Sequence, residues 1–191
     1  MNLENLVLIL AWLAALGVFV WCLWIGIPAL AGLPYIAAQP ERIRRALEMA
    51  QLQPGETVYD LGAGDGRVLV IAANAFCAQG IGIEISPLQS LLARWNVRRQ
   101  GLGEKIKIRR EDFYRADLSE ADVVYAYMTS RQAEKIRPVL ERQLRPGTRV
   151  VAVSFEIAGW QPDEFDEQNL LSLYRMPPTP GSLFTYLIKR S

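Results

Sequence analysis

The chain has no histidine among its 191 residues. That removes both the commonest general base and the commonest metal ligand from any chemistry assigned to it. It has only two cysteines, Cys22 and Cys77, too few for a disulfide framework and too far apart for a metal-binding pair. Both lie in apolar surroundings and are expected to be small buried hydrophobes. Charge of either sign is missing from Asn5 to Gln39, and no Lys or Arg precedes Arg42. No excess of one charge exists overall, with 21 Lys plus Arg against 20 Asp plus Glu. A global field that would gather nucleic acid or acidic substrates is therefore excluded. No internal repeat or low-complexity tract is present.

What the first forty residues do have is a long apolar run. Leu6 to Ile27 is almost unbroken over 22 residues. As a helix it would reach about 33 Å, enough to cross a hydrocarbon core of about 30 Å. Pro28 is expected to end or kink it. A cleaved signal peptide would need a positive start and a shorter apolar stretch, and this segment begins with Glu4. A buried helix of a soluble core is the other alternative. Arg42, Arg44 and Arg45 follow the run closely, so the part beyond it is expected on the cytoplasmic side of a single-pass membrane protein. The domain division is residues 1–39, a transmembrane helix with an apolar linker, and residues 40–191, one domain with a core of its own. The linker "PALAGLPYIAAQP" carries three prolines and reads as a segment that packs on something.

The remainder alternates. "PERIRRALEMAQL" puts Ile43, Ala46, Leu47 and Ala50 at helical spacing between Pro40 and Pro54-Gly55. "ETVYDL" reads as a buried strand. "RVLVIAANAF" reads as a helix with Val68, Ile71, Ala72 and Ala75 inward, and "AQGIGIEIS" as a second strand. Ser86 and Pro87 then supply an N-cap and a first-turn proline to "LQSLLARWNVRRQG". "KIKIRRED", "ADVVYAYM" and "TRVVAVSFEI" add strands, and the helical pattern of "SRQAEKIRPVLERQLRPG" is expected to break at Pro138. "NLLSLYRM" and "LFTYLIKR", joined by "PPTPGS", are expected to form an antiparallel hairpin. The class is α/β, a Rossmann-like, seven-stranded, mostly parallel sheet with an antiparallel C-terminal strand.

The loop after the first strand, "DLGAGDGR", sets glycines at 62, 64 and 66 beside two acids, Asp60 and Asp65. A strand, a glycine loop and a helix usually cradle phosphate. Two carboxylates would repel one, and G-x-G-x-G is not the G-x-G-x-x-G of dinucleotide binders. A positively charged ligand fits the loop better. Further acids end the second strand (Glu84) and the third (Asp112).

With that ordered set, residues 41 to 191 resemble the class I S-adenosylmethionine-dependent methyltransferases. Over "GLPYIAAQPERIRRALEMAQLQPGETVYDLGAGDGRVLVIAA" the chain is similar to the membrane-associated protein lysine methyltransferases that modify the ATP synthase c subunit and the adenine nucleotide translocase. Pro34-Tyr35, the Asp60 to Arg67 loop and a late Trp-Gln-Pro run carry that likeness. The resemblance implies S-adenosyl-L-methionine as cofactor and no metal. Gly62 and Gly64 would give backbone access to its methionine part, with Ala63 between them and Asp60 near the ammonium. Glu84 would accept the ribose hydroxyls, with Ile85 beside it. Asp112 would accept from the adenine amino group, with Phe113 near the ring, and Tyr35 would close over the cofactor. Asp65 belongs to the loop without an assigned role. Tyr127, at the end of the fourth strand, is the residue expected to orient the acceptor. Glu156 is a carboxylate able to take the acceptor's proton, and Trp160 is expected at the substrate cleft.

The implied activity is methylation of a lysine in a membrane protein. A lipid or small apolar acceptor, a non-catalytic scaffold, and a nicotinamide oxidoreductase disfavoured by the glycine spacing are the alternatives. Partners expected are the membrane and a membrane-protein substrate, with no nucleic acid.

Overall fold

Proline and glycine placement governs where each element starts and stops. In the computed structural model the described residues are 3–30 and 39–189, with side chains described over 4–22 and 39–189. Tyr35, the residue expected to close over the cofactor, lies outside them. Two compact units are distinguished, Met1–Ala37 and Ala38–Ser191.

The first unit holds one helix, α1 (Leu3–Leu30). It runs two residues past Pro28, so the helix does not end at that residue. Glu4–Cys22 is long and apolar enough to cross a membrane, and none of its side chains is buried. Trp12 is 76 % exposed.

In the second unit α2 (Pro40–Met49) starts on its proline and buries Ile43, Ala46, Leu47 and Met49. β1 (Thr57–Leu61), α3 (Arg67–Phe76), β2 (Gln79–Ile83), α4 (Pro87–Arg99), β3 (Ile106–Arg109) and β4 (Val123–Tyr127) follow. Then come α5 (Ser130–Gln143), β5 (Arg149–Val153), β6 (Trp160–Gln161), β7 (Glu164–Asp166), β8 (Leu171–Arg175), β9 (Thr179–Pro180) and α6 (Leu183–Ile188). The main sheet has seven strands in the order β3-β2-β1-β4-β5-β8-β7. The first five are parallel, and β8 runs antiparallel to both β5 and β7. β6 and β9 form a separate two-stranded ladder.

One sheet face, with Tyr59, Leu61, Ile83, Val124 and Ala126, packs against Ile136 and Leu140 of α5. The opposite face, with Val58, Val123, Tyr125 and Val151, packs against Leu47 of α2 and Leu69 of α3. Strand order reverses between β1 and β4, and in open α/β sheets ligands bind beyond the carboxyl ends of strands at such a point.

The structure departs from several expectations. "LFTYLIKR" is no strand: Ser182 and Thr185 cap each other's backbone N–H and start α6 there. The outer partner of β8 is the short upstream β7. Pro138 sits inside an unbroken α5. Pro138 and Glu134 are both exposed, so the carbonyl left without an N–H partner faces water, which satisfies it. α3 buries Val68, Leu69, Val70, Ala72 and Ala73, while Ile71 is half-buried and Ala75 exposed; packing against both β2 and α2 widens its inner face. Both cysteines are exposed. Cys22 lies on unburied α1, and Cys77 caps the C-terminus of α3 in a left-handed conformation.

Gly82 of β2 is a packing requirement. A Cβ there would lie 2.8 Å from Ala63 Cβ and Ile108 Cδ1 and 2.9 Å from Leu69 Cδ1. Gly82→Ala is therefore expected to destabilise the protein by about 1–3 kcal/mol. Urea unfolding measures it, and an unchanged midpoint would show that the glycine loop is not pressed against β2.

Candidate functional site

The loops after β1, β2, β3 and β4 all leave the same, carboxyl edge of the parallel strands. β1 ends at Leu61, and the N–H groups of Gly62 and Ala63 both donate to the carbonyl of Ile83, at 2.9 and 3.0 Å. Gly62 (φ +94°), Gly64 (+55°) and Gly66 (+79°) take left-handed conformations, which glycine adopts without steric cost. A Cβ at Gly62 would meet nothing within 4 Å, so space is open where the backbone turns.

Glu84 holds this loop. It is 7 % exposed; its Oε2 accepts the Gly64 N–H at 2.9 Å and its Oε1 the Ser86 N–H at 2.8 Å. A carboxylate has about four lone-pair directions, so each oxygen keeps capacity for a further donor. Ser86 also caps α4, accepting from the Gln89 N–H. One acid thus positions both the glycine turn and the start of a helix.

Asp60, 3 % exposed, is the last residue but one of β1, next to the loop. Burial above all, and then the nearby Glu84 and Asp65 carboxylates, push its carboxyl up to about 8. Such a group gives up its proton readily only when a cation arrives beside it.

Asp65, without a role from sequence, is ion-paired to Arg67, with Nη2 2.7 Å from Oδ2 and Nε 3.0 Å from Oδ1. Its carbonyl accepts from the Asn96 side chain of α4. The residue braces the loop at the helix entrance, where negative charge also favours the dipole of α3.

Asp112 accepts the Tyr114 N–H at 3.0 Å and so shapes the turn after β3. Phe113 is 7 % exposed and belongs to the core, its ring 4.4 Å from that of Tyr114. Ile85 is 47 % exposed. Ala63 is buried.

Tyr127 is half-buried at the end of β4, with the Arg42 guanidinium 5.6 Å over its ring. Arg42 also donates to Ser154 Oγ at 2.6 Å and to the Asn169 carbonyl at 2.7 Å. Arg42 thereby ties α2 to the ends of β4, β5 and β8, a role that its place after the apolar run does not suggest. Glu156 is exposed in the segment after β5. Trp160 is 2 % exposed, and its indole N–H donates to Glu141. It packs edge-on to Tyr174, so it is a core residue and does not border a cleft.

These features suit a cationic ligand with an amino-acid end and hydroxyls. A family model described as the ANTKMT methyltransferase domain matches residues 60–164, from Asp60 through the loop, Glu84, Asp112 and Tyr127. The chain belongs to this family of S-adenosylmethionine-dependent methyltransferases.

Among the relatives of this methyltransferase, a protein-lysine N-methyltransferase of Saccharolobus islandicus is 39 % identical over 132 residues, 69 % of this chain and 82 % of that protein. The mouse adenine nucleotide translocase lysine N-methyltransferase is 28 % identical over 71 % of this chain and 59 % of its own length. The human lysine N-methyltransferase of the ATP synthase c subunit is 29 % identical over 69 % and 55 %. The chain thus spans less than two thirds of these two mammalian relatives. A solved structure titled an RNA methyltransferase of Salinibacter ruber, in complex with S-adenosyl-L-homocysteine, superposes with a TM-score of 0.70 at 37 % identity, covering 73 % of this chain and 92 % of that one. The cofactor of the methyltransferase is S-adenosylmethionine, and the residues fit it. Acids stand where a phosphate-binding loop would have none, and open space adjoins Gly62.

Proposed function

We propose that this methyltransferase modifies the side-chain amine of a lysine in a membrane protein, with residues 1–39 as the anchor and residues 40–191 as the catalytic domain on the cytoplasmic side. The observation that carries the acceptor is the 39 % identity to a protein-lysine N-methyltransferase over 69 % of the chain. Relatives named for two membrane-protein substrates, a translocase and an ATP synthase component, point the same way. The apolar, unburied Glu4–Cys22 helix supports the anchor, and Arg42, Arg44 and Arg45, the first basic residues after it, support the orientation.

In this reading Asp60, Gly62, Ala63 and Gly64 face the methionine part of the cofactor. Glu84 and Ile85 take the ribose, and Asp112 and Phe113 the adenine side. Asp65 keeps the loop in shape through Arg67. The bound cofactor supplies an electrophilic methyl group on a sulfonium. The protein's part is to align an amine with it and to exclude water. Tyr127, steadied by Arg42, orients the acceptor. In the same reading the lysine ammonium loses its proton to water or to a carboxylate such as Glu156, exposed after β5, since only the neutral amine is a nucleophile.

The neighbour titled an RNA methyltransferase makes RNA the second reading, and a lipid acceptor is the third. The test is to incubate the full chain with methyl-labelled S-adenosylmethionine and host membranes carrying bound ribosomes, then to separate protein, lipid and RNA. Label in protein, mapped to methylated lysine by mass spectrometry, is the expected result. Label confined to lipid or to RNA overturns the lysine assignment.

A further inference from the structure

Strand register sets Asp60 of β1 directly beside Tyr125 of the parallel neighbour β4. Both side chains leave the sheet on the face that packs against α2 and α3, since Val58 and Tyr125 share that core cluster and Asp60 is two residues on from Val58. Tyr125 is 1 % exposed. Its hydroxyl is buried and has no hydrogen-bond partner among the described residues. An unpaired buried hydroxyl costs about 1–3 kcal/mol. Tyrosine at this place therefore carries a penalty that phenylalanine would not.

The surroundings say what the hydroxyl is for. Asp60 is the acidic group acting on it, Arg42 of α2 and Tyr127 of β4 are its other titratable neighbours, and Glu84 and Asp65 face Asp60 from the loops. Arg67 is committed to Asp65. Among the described residues, the groups acting on Asp60 include no cation to stabilise the ionised form.

We propose that Tyr125 is a positioning residue of the cofactor site, its hydroxyl donating to the Asp60 carboxylate when the α-ammonium of the cofactor docks there and displaces the carboxyl proton. This rests on the reading of Asp60 as the ammonium-facing acid. The balance is simple. The Asp60 O–H proton leaves to solvent, the carboxylate then accepts from the ammonium and from the Tyr125 O–H, and no covalent bond is made. The ionised carboxylate is a stronger acceptor than the protonated acid, so it is the charged form of Asp60 that gains from the Tyr125 O–H. Burial and two neighbouring carboxylates, which hold the Asp60 proton on to about pH 8, make the coupling strong at neutral pH. Two titrations then bound the affinity. Asp60 must lose a proton, and the ligand's amino group must keep one.

The test titrates the full chain with S-adenosylhomocysteine, which carries the same α-amino group, by calorimetry from pH 6 to 9 in two buffers of different ionisation heat. For the wild type, affinity is expected to rise nearly tenfold per pH unit from 6 to about 8 and then to decline, with close to one proton released per ligand at pH 6.5. Tyr125→Phe should bind about tenfold more weakly at pH 7 and move the rising limb upward by about one pH unit, a loss of about 1.4 kcal/mol. Its melting temperature without ligand should be equal or higher, because an unpaired hydroxyl has been removed. Unchanged affinity and an unmoved limb in Tyr125→Phe, with the wild type binding, overturn the tyrosine's role. So does a uniform loss at every pH with a lowered melting temperature, which marks ordinary packing. No binding by the wild type at any pH overturns the reading of the site and the tyrosine's role with it.

Discussion

Asp60→Asn is expected to make the cofactor-free protein more stable at pH 7, by roughly 4 kcal/mol, while removing most of its affinity for the cofactor. The sign follows from where the carboxyl titrates. In the folded chain it keeps its proton up to about 8, against an ordinary 3.8. Between those values the unfolded chain gives up a proton that the folded chain retains, so wild-type stability falls as pH rises through that window and levels off on both sides. At pH 7 the fall amounts to about three pH units at 1.36 kcal/mol each, hence roughly 4 kcal/mol. Asparagine has the same shape and no proton to lose. Urea unfolding of both proteins from pH 4 to 8 should give curves that nearly meet at pH 4 and diverge upward. Parallel curves would show that Asp60 is ionised in the fold. The binding loss, of the order of 100-fold, should accompany a flattening of the dependence between pH 6 and 8, since the amide cannot charge.

Glu84→Ala is the second large effect. The carboxylate accepts the N–H groups of Gly64 and Ser86, and its removal strands both donors in a largely buried place. A net loss of about 2–4 kcal/mol of stability follows for the two bonds. Cofactor affinity should fall further than stability does, by at least about 100-fold, because the loop's left-handed turn at Gly64 is held by that contact and the ribose acceptor is gone with it. Glu84→Gln separates the two contributions. The amide can accept only one of the two N–H groups, so stability should fall by about half as much. Equal binding by Glu84→Ala and the wild type would remove this residue from the site.

The parts of this molecule that can be read from sequence are those set by neighbours in the chain. Ser86-Pro87 announces α4, Pro40 announces α2, and the Gly62–Gly66 spacing with its acids announces a loop for a cation and not for a phosphate. Misreadings arise where a local pattern serves two structures. "LFTYLI" suits a strand as well as a short helix, and the reciprocal Ser182–Thr185 cap decides for the helix. Three-residue β7 carries too little pattern to be seen beside the stronger β8. Trp160 has the chemistry of a cleft residue, yet its ring is buried in the core and its N–H is committed to Glu141 at the surface of α5. Distance in sequence conceals the rest. Nothing near Tyr125 indicates that strand order brings it beside Asp60, and nothing near Arg42 indicates Tyr127, Ser154 and Asn169 as its partners. Asp65 is legible as a loop acid, yet only its pairing with Arg67 explains it.

The β1 loop and Glu84 together forming the S-adenosylmethionine site is the central claim. Calorimetric titration of the full chain with S-adenosylmethionine at pH 8, beside Glu84→Ala and Asp60→Asn, tests that most directly. One site per chain in the wild type, with affinity lowered about 100-fold or more in each variant while both remain folded by circular dichroism, is the predicted result. Wild-type affinity retained in both folded variants would contradict it.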